Sequence, residues 1–211
     1  MLAFVAGMVN VVGLLGFDHH AITHLTGSTS LLGEALGELH FAEALHLGLV
    51  IGSFVLGTVL SGILIQDSTL KLGRRYGVAL VLESIMLSAS VPLYQHQITA
   101  GAYIAACACG LQNAMVSTYS GAVVRTTHLS GMFTDLGIFL GHAIRGIPVD
   151  MRRLKLCFLI ISAFLCGGIA GGFGFHRIGY NTLFLPSALT GITGLAYGIY
   201  RICKTPGQQN L

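Results

Sequence analysis

Apolar positions along the chain come in long blocks, without the period-two alternation of a half-buried strand. Six blocks approach the roughly 20 mostly apolar residues that a helix needs to cross a bilayer. They cover about 1–17, 44–65, 77–94, 98–124, 156–175 and 179–200. Glu83 alone interrupts the third, and the fourth carries no charge. Two polar segments, 18–43 and 125–155, follow the first and fourth blocks, and each holds the pattern of a further short helix. In the first, Ser28 or Ser30 is placed to cap a helix that continues through Leu31, Leu32, Leu36 and Leu39. In the second, the corresponding helix is expected over about 132–143, after a turn at Gly131 that matches one at Gly27. The expected fold is an all-α polytopic membrane protein with six transmembrane helices and an extra short helix after the first span of each half.

The two halves resemble each other. Thr23–Gly37 reads THLTGSTSLLGEALG and Thr127–Gly141 reads THLSGMFTDLGIFLG, with eight of fifteen positions identical. A weaker echo pairs Phe54, Gly57 and Gly62 with Phe164, Gly167 and Gly172. This points to a duplicated unit within one transmembrane domain, 1–211, with repeats over about 1–97 and 98–211. Three spans per unit is an odd number, so the second copy is expected to insert upside down. Transporters and channels of this build carry their substrate path at the repeat interface.

Composition narrows the class further. The 211 residues are 54% hydrophobic and 9% charged, with a net charge of +3. Soluble domains hold roughly 25% charged residues. No basic cluster is large enough to track a nucleic-acid backbone. Ten of the eleven Lys and Arg residues fall in 66–76, 125–155 and 201–211, which six spans place on one side, leaving Arg177 opposite. The positive-inside rule then puts both termini in the cytoplasm. Arg145, Arg152, Arg153 and Lys155 are placed to anchor the fifth span at anionic headgroups. The first block lacks a basic flank and reads as a span, not a cleaved signal. The five Cys read as small core residues. Gly167–Gly168 and Gly171–Gly172 form small-xxx-small pairs that let helices approach closely, within one chain or in a homodimer.

Polar side chains inside the blocks are the candidate chemistry. A carboxylate such as Glu83 costs at least about 2.5 kcal/mol at the centre of a span. It reads either as a proton- or ion-coupling group or as a near-interface residue paired with a cytoplasmic Arg. Asn10 in the first block and Gln112 with Asn113 in the fourth occupy equivalent spans, as packing glue or as pore lining. His24 and His128 hold the same place in the two copies. Helix N-termini at Gly27 and Gly131 would offer N–H groups to a solute. His20 and His24, four apart, suggest a divalent metal site. No cofactor motif and no enzyme signature such as HExxH, GxSxG or a P-loop is present, so an enzyme is not expected.

The pattern at Gly7–Phe17, the LTGSTSLLG run at Leu25–Gly33, GLQNA at Gly110–Ala114 and TTHLSG at Thr126–Gly131 resemble the YoaK-like family of uncharacterised bacterial inner-membrane proteins. The resemblance spans nearly the whole chain and implies a six-helix protein of the bacterial cytoplasmic membrane, surrounded by lipid. The chain departs from the family at Asn10, where many members carry Asp, and at His24–Ser28. The expected function is passage of a small polar or ionic solute. The expected path is lined by Asn10, His24, Thr26, Gly27, Ser28, Glu83, Gln112, Asn113, His128, Ser130 and Gly131. The alternatives are a non-transporting sensor or scaffold subunit, and a metal-ion permease using the outer histidines.

Overall fold

The computed structural model describes residues 1–16, 23, 25–65, 75–120 and 126–204, apart from the side chains of residues 202 and 204. The order is α1 (Leu2–Leu15), α2 (Leu25–Gly37), α3 (Phe41–Leu64), α4 (Arg75–Gln95), α5 (Ala100–Tyr119), α6 (Leu129–Ile144), α7 (Met151–Ile178) and α8 (Phe184–Lys204), with a 3₁₀ turn at Gly179–Leu183 between α7 and α8. No strand forms among the described residues. The helices α3 and α4, and the run Met151–Arg201 through α7 and α8, are long and apolar enough to cross a membrane. These helices mark the chain as a membrane protein.

Several expected boundaries change. The first block yields only 14 helical residues, about 21 Å of rise. The fourth block stops at Tyr119 instead of running to 124. There the Ser117 and Thr118 hydroxyls donate back to the Asn113 and Ala114 carbonyls, and the Ser120 N–H closes the last turn on Val116 O. The sixth block opens with the 3₁₀ turn, since Gly179 at φ 58° leaves the right-handed helix. Neither Ser28 nor Ser30 caps α2, which starts earlier, at Leu25. Ser30 instead donates to the Thr26 carbonyl, as a mid-helix serine does. Likewise α6 begins at Leu129, not near 132. Gly27 and Gly131 therefore lie inside first helical turns.

Packing joins residues far apart in sequence. The helices α1 and α7 run parallel, with Gly167 against the Phe4 backbone and Gly171 against Met8. Close approach needs these glycines: a methyl at Gly7 would fall on the Phe164 carbonyl. The pair α3 and α5 crosses in the same way, Gly57 on the Cys107 carbonyl and Gly110 on the Phe54 carbonyl. His46 Nδ1 and the Tyr103 hydroxyl, 3.0 Å apart, join that pair near the starts of both helices. The third pair, α4 and α8, is antiparallel. Gly77 meets Gly194 at one level, and the Ser187 hydroxyl donates to Ser84 O at 2.8 Å at another. Outside these pairs, α2 packs on α3 and α6 packs on α7.

These directions gather Arg75, Arg152, Arg153, Lys155 and Arg201 at one end of the bundle, where α1, α4 and α7 begin and α5 and α8 finish. The other end holds Arg177, whose guanidinium lies over the Phe173 ring. Cys107, Cys109 and Cys157 are buried, while Cys166 and Cys203 are exposed.

Candidate functional site

Two asparagines set the site. Asn10 Oδ1 accepts from the Thr23 N–H at 3.3 Å and the Thr23 hydroxyl at 2.7 Å. Asn113 Oδ1 accepts from the hydroxyls of Thr126 at 3.5 Å and Thr127 at 3.3 Å. Thr23 and Thr127 are the first residues of the two similar fifteen-residue stretches. Asn10 lies before the end of α1 by about 8 Å of helical rise, and Asn113 before the end of α5 by about 9 Å. Each amide thus draws the chain back from the end of a helix towards the interior. The helix that follows then leads outward again: α2 towards the end where α3 starts, and α6 towards the basic end where α7 starts.

The first turns of α2 and α6 consequently face one cavity of about 210 Å³. Thr23, Leu25 and Thr26 line it from the first half of the chain; Asn113 of α5, with Thr127, His128 and Ser130, lines it from the second. Phe54 completes the wall. It is near the middle of the 24-residue α3, about 20 Å from that helix's start. Among the described residues, no Asp, Glu, Lys or Arg lines the cavity. Neither first turn holds an acidic residue. His128 stands at the N-cap of α6 without a side-chain capping bond. Backbone donors and the partial positive charge of the helix ends are thereby directed at the cavity contents. Hydroxyls, an amide and an imidazole can both donate and accept. Thr26, His128 and Ser130 are exposed, so the cavity is open to its surroundings. Gly131 makes room for the His128 ring, on which a methyl group there would fall.

Of the residues expected from sequence, Thr26, Asn113, His128 and Ser130 meet at this cavity. Gly27 and Ser28 share the first turns of α2, and Ser28 is buried. Asn10 stands one layer back, behind Thr23. Gln112 is spent elsewhere: its Nε2 donates to the Leu2 carbonyl at 2.7 Å. Glu83 is in the packed seam of α4, and no ion pair to an Arg forms there among the described residues. Lys71 and Arg74, which precede α4, lie outside the described residues. His20 and His24 lie outside the described residues, and among the described residues no group of three or more metal-ligating side chains comes together. Sequence reasoning missed Thr23, Thr127, Leu25 and Phe54, although three of them belong to the repeated THL triplets and the fourth to the Phe54/Phe164 echo.

A second, larger cavity of about 460 Å³ occupies the basic end, between Leu80, Met115, Tyr119, Ile160 and Tyr197. Its lining is almost wholly apolar, and Thr126 forms part of its wall. The adjacent Thr127 lines the polar cavity. Among the described residues, an aromatic cluster packs at the opposite end. Tyr94 and Tyr180 stack at 4.9 Å, Phe175 packs edge-on against Tyr180, and Gly16 lies against the Tyr180 hydroxyl.

Neither a curated relative nor a solved structure matches the chain. A family described as proteins of unknown function, DUF1275, matches residues 1–196. With nearly its whole length covered, the chain belongs to the DUF1275 family.

Proposed function

We propose that this protein passes a small polar or ionic solute through the membrane along the interface of two inverted three-span repeats. The observation that carries the reading is the convergence of the first turns of α2 and α6 on one polar cavity at mid-length of α3. Non-helical backbone at membrane depth is tolerated where it lines a wet cavity, and helix N-termini directed at the middle of a bilayer recur at transporter binding sites. The repeat is supported by its contacts. Gly7 on Phe164 matches Gly110 on Phe54, Gly167 on Phe4 matches Gly57 on Cys107, and Asn10 with Thr23 matches Asn113 with Thr127. The apolar cavity at the basic end supplies an approach from that side, and the aromatic stack closes the other. By the positive-inside rule the basic end faces the cytoplasm of the bacterial inner membrane, with both termini on that side.

Proteoliposomes test the pathway with defined probes. Stopped-flow light scattering with urea, glycerol and monovalent anions should show a protein-dependent flux for at least one probe. Thr26→Phe with Ser130→Phe, which fills the polar cavity from exposed positions, should return that flux to the level of empty vesicles. No flux with any probe, or flux indifferent to the filled cavity, would favour a scaffold role. Topology is tested separately. A membrane-impermeant maleimide on intact cells should label Glu38→Cys, at the end of α2, and spare Arg145→Cys, after α6, until the membrane is permeabilised. Labelling of both from one side contradicts the inverted arrangement.

A further inference from the structure

Among the described residues Glu83 is the one carboxylate buried within the bundle, at 1% exposure. The buried face of α4 runs Tyr76, Leu80, Glu83, Leu87, Ser90 and Tyr94. This is the alternating three- and four-residue spacing of a packed helical seam, where an apolar residue is the ordinary occupant. Among the described residues, Glu83 Oε2 meets no hydrogen-bond donor. The ion pairs among the described residues involve His40 with Glu38 and Glu43 only, all remote from α4.

The surroundings identify the chemistry. From α5, Cys109 lies close enough for its charge and that of Glu83 to interact, with Cys107 beyond it. No titratable side chain lies on α8 between Phe184 and Ala196; Tyr197 packs lower, near Tyr76 and Leu80. Arg75 stands at the start of α4, its guanidinium on the Leu64 carbonyl. His46 of α3 and Tyr180 of the 3₁₀ turn belong to the opposite end. The nearby hydroxyls of Ser84 and Ser88 are engaged with Ser187. A hard metal cation needs about six oxygen ligands, which one carboxylate, a thiol and hydroxyls already bonded to one another do not supply. A proton needs one oxygen.

We propose that Glu83 is a proton-exchange site that couples the packing of α4 against α5 and α8 to solute movement. The proposal rests on the permeation reading and names its coupling ion. A bare carboxylate in this seam is far costlier than a neutral acid. Ionisation therefore requires the helices to part and admit water, and closure requires the proton back. By linkage, a proton delivered from one side stabilises the packed arrangement, and its release to the other stabilises the parted one. The step forms and breaks only the carboxyl O–H bond and transfers no electrons.

The test reads protonation without any solute. Protein in lipid nanodiscs is treated with a hydrophobic carbodiimide, whose nitrogen takes the carboxyl proton while the carboxylate oxygen adds to the central carbon. The adduct is mapped by mass spectrometry. The expected result is modification at Glu83 that falls about tenfold per pH unit on the alkaline side of its titration. Glu83→Asp should retain the adduct and Glu83→Gln should lose it. No adduct at any pH, or an adduct indifferent to pH, overturns the proposal. In proteoliposomes, the flux of the conducted probe should respond to a pH gradient in the wild type, and Glu83→Gln should remove that response. Flux that is blocked by the filled cavity yet keeps its pH response in Glu83→Gln leaves the pathway standing and removes Glu83 from it.

Discussion

Gly57→Leu should destabilise the protein by about 3 kcal/mol or more, at the upper end of what overpacking costs. At Gly57 a Cβ coincides with the Cys107 carbonyl of α5, and the Leu111 N–H is also too near. Backbone cannot step aside as the tip of a flexible side chain can, so α3 and α5 must separate along the crossing. The loss then spreads to Val50, Phe54, Ala105 and Ala106, which share that core. Gly62 on the same helix has nothing within 4 Å of an added Cβ, so Gly62→Leu should stay within about 0.5 kcal/mol. Gly167→Leu, at the matching crossing of α1 and α7, should behave like Gly57→Leu. Size-exclusion profiles of detergent-solubilised protein after graded heating would rank the variants. Equal melting of Gly57→Leu and Gly62→Leu would contradict the crossing described here.

The second large effect is expected at the asparagines. Asn10→Leu removes the acceptor of both bonds from Thr23, a residue only 2% exposed. Each buried donor left without a partner costs about 1–3 kcal/mol. Asn113→Leu should cost less stability, because its bonds of 3.3 and 3.5 Å are long and Thr127 is only partly buried. Both variants should nevertheless abolish probe flux, since each releases the stretch that holds a helix N-terminus at the cavity. Hydrogen–deuterium exchange over the start of α2 should rise in Asn10→Leu and that over the start of α6 in Asn113→Leu. Unchanged exchange would show that something other than the amides positions these helices. Asn10→Asp should be tolerated, because both bonds from Thr23 end on an oxygen that aspartate also carries. Family members with Asp at this position are expected on the same ground.

Much of this was legible in the sequence for physical reasons. Long apolar blocks report lipid-facing helices directly, and α3, α4, α7 and α8 fall close to the expected segments. The fourth block was harder to read. Its Ala, Gly and Cys content, free of charge, looks like a span from composition, yet α5 is packed by other helices along much of its length. Ala105, Ala106 and Ala108 are small because neighbours come close, not because lipid surrounds them. The repeated THL triplet marked the cavity, and the matched amides were visible as a pair. That each amide grips the threonine of its own half was not, because contacts of Asn10 with Thr23 cross a segment with no periodic signal. Glu83 was visible as an anomaly, but its lack of a partner among the described residues depends on which faces of α5 and α8 turn towards it. Ser28 and Ser30 misled because a serine near a helix start suits either a cap or a bond to the carbonyl four residues back.

The parallel pairing of α1 with α7 and of α3 with α5 constrains how the molecule is made. On the ribosome α1 emerges early, yet its glycine face stays without a partner until most of the chain has been synthesised. Its sister pair closes sooner, as soon as α5 follows α3 and α4 into the bilayer. Assembly is therefore expected to finish late, with α1 held in reserve at the translocon or in lipid until α7 arrives. Two half-length chains made separately would each lack the partner of their first helix, and only their co-production would restore both crossings.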